Sequence, residues 1–344
     1  MTQDLKELSL AGLKAVLMEW GFPEFRAEQI FSWVYKRGVF DFEMMGNLPQ
    51  GLKKRLEENF YLYSLKMFKA LESSDETKKI LFEAKDKNFI EAVLIPAKGR
   101  VTGCISTQVG CKFACRFCAS GILGFKRNLT CAEIIEEILF LKNNHKEKKL
   151  THLVFMGTGE PLDNYDNVLK AIRIINSASA LNIGARRITI STCGIIPGIM
   201  KLMHEGLQIE LSISLHAADD KTRSLLLPVN KKYPLAELMR ACKEYSDKTG
   251  RQITFEYILI KGINSGLQNA RDLVKILRGL RLCKVNLIPA NPVPELKVQP
   301  PDKREITLFK DCLLKSGINT TLRKPRGQDI EAACGQLRLR YENK

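Results

Sequence analysis

Val101-Thr-Gly-Cys104-Ile-Ser-Thr-Gln-Val-Gly-Cys111-Lys-Phe-Ala-Cys115-Arg-Phe-Cys118 opens with a β-prone run and ends in three closely spaced thiols. Val101–Thr107 reads as a strand, so Cys111, Cys115 and Cys118 fall on the loop leaving its C-terminal end. From there the chain alternates. Further strands are predicted at His152–Met156, Arg187–Thr192, Ile209–His216, Ile253–Ile260, Lys284–Ala290 and Thr320–Lys324. Helices are predicted between them at Thr130–Asn143, Asn164–Ala180, Pro197–Gly206, Pro234–Thr249, Leu267–Leu280 and Asp302–Ser316. Repeated βα units imply a parallel sheet covered by helices, either a full or partial barrel or a doubly wound sheet. In either, chemistry belongs at the C-terminal strand ends, where the cysteine loop lies.

Upstream the pattern differs. Ser9 can cap a helix over Leu10 to Trp20, Pro23 opens a second that runs to Gly38, and a third spans Gln50 to Phe60. Their apolar residues keep helical spacing, so Trp20, Phe31 and Trp33 read as core of a small domain. Lys79 to Ala84 and Phe89 to Pro96 form a predicted hairpin around Lys85-Asp86-Lys87-Asn88. Glu91 sits inside the second of these runs, where a carboxylate must face solvent or a site.

The chain has 344 residues, 45% hydrophobic and 27% charged, which excludes disordered and collagen-like classes. No apolar run approaches the roughly 18 residues that cross a bilayer, and no secretory signal is visible at Met1 to Lys6. A cytoplasmic protein with no membrane partner is the expectation. A net charge of +16 favours a polyanionic partner, nucleic acid ahead of lipid. All ten cysteines lie at or after Cys104. In a reducing compartment a tight cluster of them reads as metal-binding or catalytic.

Cys111-x3-Cys115-x2-Cys118 offers three soft ligands, suited to zinc or to an iron–sulfur cluster. Structural zinc takes four ligands, usually from two knuckles, and no second knuckle exists here. A four-iron cluster held by three cysteines leaves one iron open to a substrate or cosubstrate. Phe113 and Phe117 between the ligands would shield such a cluster from water.

CxxxCxxC at the start of a βα repeat resembles the radical S-adenosylmethionine (SAM) superfamily. The wider context, Cys104-Ile-Ser-Thr-Gln-Val-Gly-Cys111 through Gly124-Phe-Lys-Arg-Asn-Leu, resembles the RlmN/Cfr family of radical SAM RNA adenine methyltransferases. The resemblance runs from Arg26-Ala-Glu-Gln-Ile-Phe-Ser-Trp-Val-Tyr through Met156-Gly-Thr-Gly-Glu-Pro-Leu162, Ile190-Ser-Thr192, Ser214-Leu-His216 and Asn291-Pro292. It ends at Ala332-Ala-Cys-Gly-Gln-Leu337. It implies an α/β fold, a partial (β/α)6 radical SAM barrel with a small N-terminal helical domain and a connecting β-hairpin. The expected boundaries are 1–65 for an RNA-binding accessory domain, 66–99 for the hairpin, 100–330 for the barrel and 331–344 for a C-terminal segment.

The same resemblance implies one 4Fe–4S cluster on Cys111, Cys115 and Cys118, and two SAM molecules per turnover. Cys334 matches the methyl-accepting S-methylcysteine, Glu91 the proton acceptor, and Cys104 the resolving thiol that forms a transient disulfide with Cys334. SAM would be held by Gly159, Glu160, Ser191, Ser214, Leu215, His216 and Asn291. Taken alone, Cys334 reads as a small buried hydrophobe, Cys104 as a possible fourth cluster ligand, and His216 as a structural histidine. Cys131, Cys193, Cys242, Cys283 and Cys312 read as packing. The expected partners are 23S ribosomal RNA and transfer RNA, a reductant such as flavodoxin, and a thioredoxin-like dithiol that reopens the disulfide. A monomer is expected. Basic candidates for RNA are Lys126, Arg127, Arg186, Arg187, Arg323, Lys324 and Arg326. The predicted product is adenine methylated at C2, as at adenine 2503 of 23S rRNA and adenine 37 of tRNA. The alternatives are a C8-methylating enzyme of the same family and a noncatalytic metal-containing RNA-binding protein.

Overall fold

A computed structural model of the chain describes residues 2–122, 124–144, 149–293, 295–296 and 298–337. The C-terminal segment expected over 331–344 is therefore seen to residue 337; positions 338–344 lie outside the described residues.

The N-terminal region folds as the apolar spacing predicts. A short strand β1 (Gln3–Asp4) precedes α1 (Leu10–Glu19), α2 (Phe25–Phe31) and α3 (Gln50–Asn59), and β2 (Phe60–Tyr61) returns to pair with β1 in parallel. The Ser9 hydroxyl caps α1, accepting from the Gly12 N–H at 3.0 Å. Beyond α2 the chain continues as a π-helical turn, Ser32–Arg37, and ends where Gly38 adopts a left-handed φ of +67°.

The next strands, β3 (Leu65–Glu72), β4 (Lys78–Ala84), β5 (Phe89–Ala97) and β6 (Arg100–Cys104), pair antiparallel in succession. The predicted hairpin is thus the middle of a longer meander. Leu65–Glu72 was not legible as a strand because, as a sheet edge with both faces largely open, it carries no alternation. After β6 the chain makes a two-stranded antiparallel arm, β7 (Gln108–Gly110) with β8 (Phe125–Asn128), and the cysteine loop runs between them.

The rest is regular βα repetition. Strands β9 (His152–Phe155), β10 (Ile188–Thr192), β11 (Glu210–Ser214), β12 (Ile253–Leu259), β13 (Cys283–Pro289) and β14 (Asn319–Leu322) follow β6, all parallel to it. The intervening helices are α4 (Cys131–Asn143), α5 (Tyr165–Asn176), α6 (Ile196–Leu202), α7 (Asp220–Leu226), α8 (Leu235–Thr249), α9 (Leu267–Leu277) and α10 (Lys303–Lys315). Parallel neighbours are consecutive in the chain from β6 to β14. Among the described residues β14 pairs only with β13, and β5 takes the other edge of β6, so the barrel is partial. Every residue of β12 is buried. Ile253, Phe255 and Tyr257 pack toward the helices, Tyr257 against Phe309 at 5.2 Å, while Glu256 and Ile258 line the interior.

Helix α4 binds the N-terminal region at both ends. Near its N-terminus, where backbone N–H groups are unpaired, the Glu7 carboxylate accepts from the Ala132 N–H at 2.7 Å. Glu136 accepts from Ser64 N–H and Leu65 N–H at 2.9 and 2.7 Å and stands 3.2 Å from the buried Lys6 ammonium. At the far end Lys142 donates to the carbonyls of Tyr35 and Lys36.

Candidate active site

The cysteine loop is fixed from both sides by backbone hydrogen bonds. Cys111 N–H donates to Gly124 C=O at 3.0 Å, and Arg116 N–H to Leu226 C=O at 2.9 Å. The C-terminal segment lies on it: Ala119 N–H donates to Gly335 C=O at 2.7 Å, and Ser120 Oγ to Leu337 C=O at 3.0 Å. Gly335 has φ +82°, and a Cβ there would stand 2.8 Å from Phe117 C=O, so only glycine permits this approach. The result is a cavity of about 150 Å³ lined by Cys111, Cys115, Cys118 and Cys334, with Phe113 and Phe117 beside them.

These thiols suit a cluster better than a single ion. Among the described residues no three His, Cys, Asp or Glu side chains close on one ion. Three thiols spread around a cavity with aromatic shielding instead match a larger, thiolate-bound inorganic core. Burial pushes the metal-free Cys111 thiol up to about 12; a bound metal reverses that preference by drawing off the proton.

The strand ends supply the other walls. Gly159 and Glu160 after β9, Ser191 on β10, and Ser214 and His216 at the end of β11 all line the cavity. Gly159 has φ +103°, and a Cβ there would fall 2.5 Å from Gln108 Cβ. Gln108 in turn accepts from Glu160 N–H at 2.9 Å and donates to Asp163 at 2.8 Å. The Glu160 carboxylate, raised by burial, accepts from the N–H groups of Cys193 and Leu162 at 2.7 and 3.0 Å. Its remaining lone pairs are available to a cationic ligand. His216 has φ +61°, a strained value for a non-glycine residue, and its ring meets Phe117 edge-on at 4.6 Å. Its Nδ1 faces the Ile258 N–H at 2.9 Å. Because that N–H can only donate, Nδ1 is unprotonated and the proton sits on Nε2. Burial, reinforced by Arg223, pushes the imidazole down to about 3, so it is neutral.

Arg223 organises these ends. It is fully buried, and its guanidinium donates to Cys193 C=O at 2.8 Å, Leu215 C=O at 3.2 Å, Ser214 C=O at 3.3 Å and Asn230 Oδ1 at 2.8 Å. One cation thus joins the loop after β10 to the end of β11.

Cys104 lies at the end of β6 in the same cross-strand row as Lys79, Val93 and Val154. It packs with Val93 against Ala332 and Leu337 of the C-terminal segment. Burial pushes its thiol up to about 12; nearby Cys334 adds to this, and Arg323 opposes it. Glu91 is 2% exposed and two residues from Val93 on β5, hence on the same face. Its carboxylate pairs with Lys79 at 3.1 Å, and Lys79 also donates to Glu331 C=O at 3.2 Å, three residues before Cys334.

Comparison with known proteins agrees with this geometry. Residues 105–274 match the radical SAM superfamily, and residues 3–62 match the ribosomal RNA large subunit methyltransferase N-terminal domain. The crystal structure of a radical SAM methyltransferase from Sphaerobacter thermophilus superposes with a TM-score of 0.95 at 43% identity, covering 98% of this chain and 99% of that one. A relative from Clostridium acetobutylicum, named a probable dual-specificity RNA methyltransferase RlmN, is 48% identical over 98% of both chains. One of the same name from Thermoanaerobacter pseudethanolicus is 44% identical over 98% of both. The chain belongs to the RlmN family of radical SAM methyltransferases. The superfamily's 4Fe–4S cluster and SAM are accordingly implied here, and the three cavity thiols fit that cluster.

Within this RlmN frame, the predicted site residues divide. Cys111, Cys115, Cys118, Gly159, Glu160, Ser191, Ser214, His216 and Cys334 line one cavity. Leu215 does not: its side chain is wholly buried in the core, and only its backbone takes part, receiving Arg223. Asn291 stands outside the lining as well. Its amide donates to Cys334 C=O at 2.9 Å and accepts from Gln328 at 2.7 Å, so here it holds the C-terminal segment. Glu91 lies beneath that segment rather than on the cavity wall. Cys193, read as packing, does line the cavity. Of the basic candidates, Arg127 is engaged bidentately by Glu133 at 2.8 and 2.9 Å, and Arg323 faces the cavity interior. Arg223 and Glu256 gave no signal in the sequence, because an arginine in a polar stretch and a lone strand glutamate look like surface residues.

Proposed function

We propose that this chain methylates C2 of adenine in RNA, at adenine 2503 of 23S rRNA and adenine 37 of tRNA, through an S-methylated Cys334. The observation that supports this most directly is the meeting of Cys334, from the far end of the chain, with the three cluster thiols around one cavity, Cys104 lying close by. Adenine C2 is not nucleophilic, so direct displacement on the SAM sulfonium cannot methylate it. A thiolate can take that methyl group, and Cys334 does so. Cys111, Cys115 and Cys118 would hold a 4Fe–4S cluster, which would supply the electron for cleaving a second SAM to methionine, the adenosyl group so released taking a hydrogen atom from the S-methyl group. The Glu160 carboxylate attracts the cationic SAM, and the neutral His216 adds no positive charge beside its sulfonium. The methylene carbon bonds to adenine C2, Glu91 takes the C2 proton, and one electron leaves the adduct, which the cluster oxidised in the earlier cleavage would take back. Cys104 then attacks Cys334 Sγ, the carbon–sulfur bond breaks, and the leaving methylene carbon takes a proton to become the product methyl group. The disulfide left behind is reopened by a thioredoxin-like dithiol. Substrate adenines must be unstacked, which favours single-stranded loops.

Anaerobic reconstitution followed by incubation with SAM, reductant and rRNA or tRNA fragments tests this. Methylated adenine should form, Cys334→Ala should abolish it, and Cys104→Ala should trap protein covalently on RNA. Mass mapping that places the methyl group on C8 overturns the regiochemistry, and normal turnover by Cys104→Ala overturns the resolving step.

A further inference from the structure

The barrel interior contains a polar row that the steps above leave unused. Ser214, Glu256, Asn286 and Thr321 stand in register on β11 to β14. Thr321 Oγ1 donates to Asn286 Oδ1, and Asn286 Nδ2 donates to Glu256 Oε1 at 3.0 Å. The chain of hydrogen bonds ends there. Glu256 is 4% exposed, yet its Oε2 accepts no hydrogen bond among the described residues, although Ser212 stands beside the carboxyl group. A buried carboxylate oxygen without a donor is unfavourable unless something absent from the free protein supplies one.

Arg323 stands opposite it on the same cavity, with Met156 and Cys334. Its Nη1 is 4.0 Å from Glu256 Oε2 and 3.8 Å from Met156 Sδ. No protein oxygen accepts from this guanidinium within hydrogen-bond reach among the described residues, so most of its five donors remain unengaged. A carboxylate acceptor and a guanidinium donor therefore face the space next to the thiol that carries the methyl group.

We propose that Arg323 and Glu256 form a subsite for the edge of a 6-aminopurine, the guanidinium donating to a ring nitrogen and the carboxylate accepting from the exocyclic amine. This rests on the reading of the chain as an adenine methyltransferase. Adenine presents a ring-nitrogen acceptor directly beside its amino donor, the complement of this pair. A donor group on the base supplies the hydrogen bond that Oε2 lacks, and the Thr321–Asn286 relay keeps the carboxylate aimed at it. Two adenines enter this cavity in the proposed reaction, that of the RNA and that of SAM, and both carry the same edge.

The reconstituted holoenzyme distinguishes them. In the RNA arm, kcat/KM is measured on two oligonucleotides, one with adenine at the target position and one with purine lacking the 6-amino group. In the SAM arm, the dissociation constant of SAM is measured by equilibrium dialysis. Wild type, Glu256→Gln and Arg323→Lys are compared in both, with circular dichroism verifying their fold. If the subsite reads the RNA base, wild type loses about ten- to a hundredfold in kcat/KM on purine RNA. Glu256→Gln then loses a comparable amount on adenine RNA but less than about threefold more on purine RNA, because the two deletions remove one contact. If it reads SAM, the variants weaken SAM binding about tenfold and leave the RNA discrimination as in wild type. Wild type that does not discriminate between the two RNAs, together with unchanged SAM affinity in both variants, overturns the subsite. A wild-type enzyme that methylates no adenine RNA at all overturns instead the function on which it rests, and the SAM arm still reports on the pair.

Discussion

Replacing Arg223 by methionine should destabilise the fold by about 3–5 kcal/mol, because four buried neutral acceptors lose their donor at about 1–3 kcal/mol each. The guanidinium makes four hydrogen bonds at 2.8–3.3 Å, three of them to backbone carbonyls that end β11 or follow β10. At about 1.5–3 kcal/mol for each hydrogen bond to a charged group, a plain sum gives far more. The cost of burying the guanidinium disappears with it, so the lower figure applies. Burial lowers its pKa from the ordinary arginine value, but arginine starts so high that it stays charged at neutral pH. Lysine in its place keeps the charge but not the planar fork, and about half the loss is expected. Equilibrium unfolding in guanidinium chloride measures both variants. Because Ser214, His216 and Cys193 are the residues held, SAM affinity of the reconstituted variants should fall at least tenfold, with the loss in KM rather than in kcat. A methionine variant that unfolds within about 1 kcal/mol of wild type would show that the carbonyls are satisfied without the cation, and the reasoning would fail.

His216 should remain neutral with its proton on Nε2 across pH 5–8, visible in imidazole 15N shifts; a midpoint near 6.5 would refute the burial argument. Because its folded value of about 3 lies below the ordinary 6.5, its contribution to stability is present above pH 6.5 and is lost on acidification. The slope climbs from about 0.7 kcal/mol per pH unit at pH 6.5 toward a limit of about 1.4, so wild type should lose about 1.6 kcal/mol more than His216→Gln between pH 6.5 and 5. Gly159→Ala puts a Cβ 2.5 Å from Gln108 Cβ at φ +103°, and SAM affinity measured by dialysis should fall at least tenfold. Burial alone would raise the Asp75 carboxyl, but hydrogen bonds from Thr77 and the Gly327 N–H outweigh it and hold it at about 2. That contribution is present above the ordinary 3.8 and lost as pH falls toward 2. The difference in Tm between wild type and Asp75→Asn should therefore be constant from pH 5 to 8 and shrink below 4. RNA affinity should fall steeply between 50 and 200 mM salt as phosphate contacts release counterions, and a salt-independent binding curve would contradict a nucleic-acid substrate.

Local rules made the repeating part of the molecule legible. The βα alternation, the Ser9 cap and the cysteine loop after β6 each follow from a few neighbouring residues. The edge strand β3 was invisible because Met67 and Phe68 are exposed and, among the described residues, the strand pairs on one side only. The predicted strand through His216 stops at Ser214, since His216 takes a left-handed φ that no propensity scale anticipates. Arg127, a basic residue beside the cysteine loop, is paired with Glu133 and Asp86, and its sequence surroundings do not record that pairing. Arg223 and Glu256 became visible only when tertiary structure removed them from water, because nothing in their sequence surroundings records burial.

The two outlying cysteines come together through the incompleteness of the barrel. β6 and β14 lie at opposite ends of the parallel run, and among the described residues β14 has no strand partner beyond β13. The chain leaving β14 must therefore cross back over the sheet, and its contacts trace that path. Gly327 N–H donates to Asp75, Asp329 accepts from Ser73, Glu331 C=O accepts from Lys79, and Gly335 C=O accepts from Ala119 of the cysteine loop. The first three anchors belong to the antiparallel strands or their turn, the last to the cysteine loop. A closed barrel would leave no room for this segment, and without the antiparallel extension it would lose the anchors at Ser73, Asp75 and Lys79. The segment has almost no regular secondary structure, so discrete hydrogen bonds rather than a helix or sheet ladder hold Cys334. Such an attachment can yield locally without unfolding the barrel. That is what the proposed chemistry requires of a thiol that meets SAM in one step and Cys104 in another.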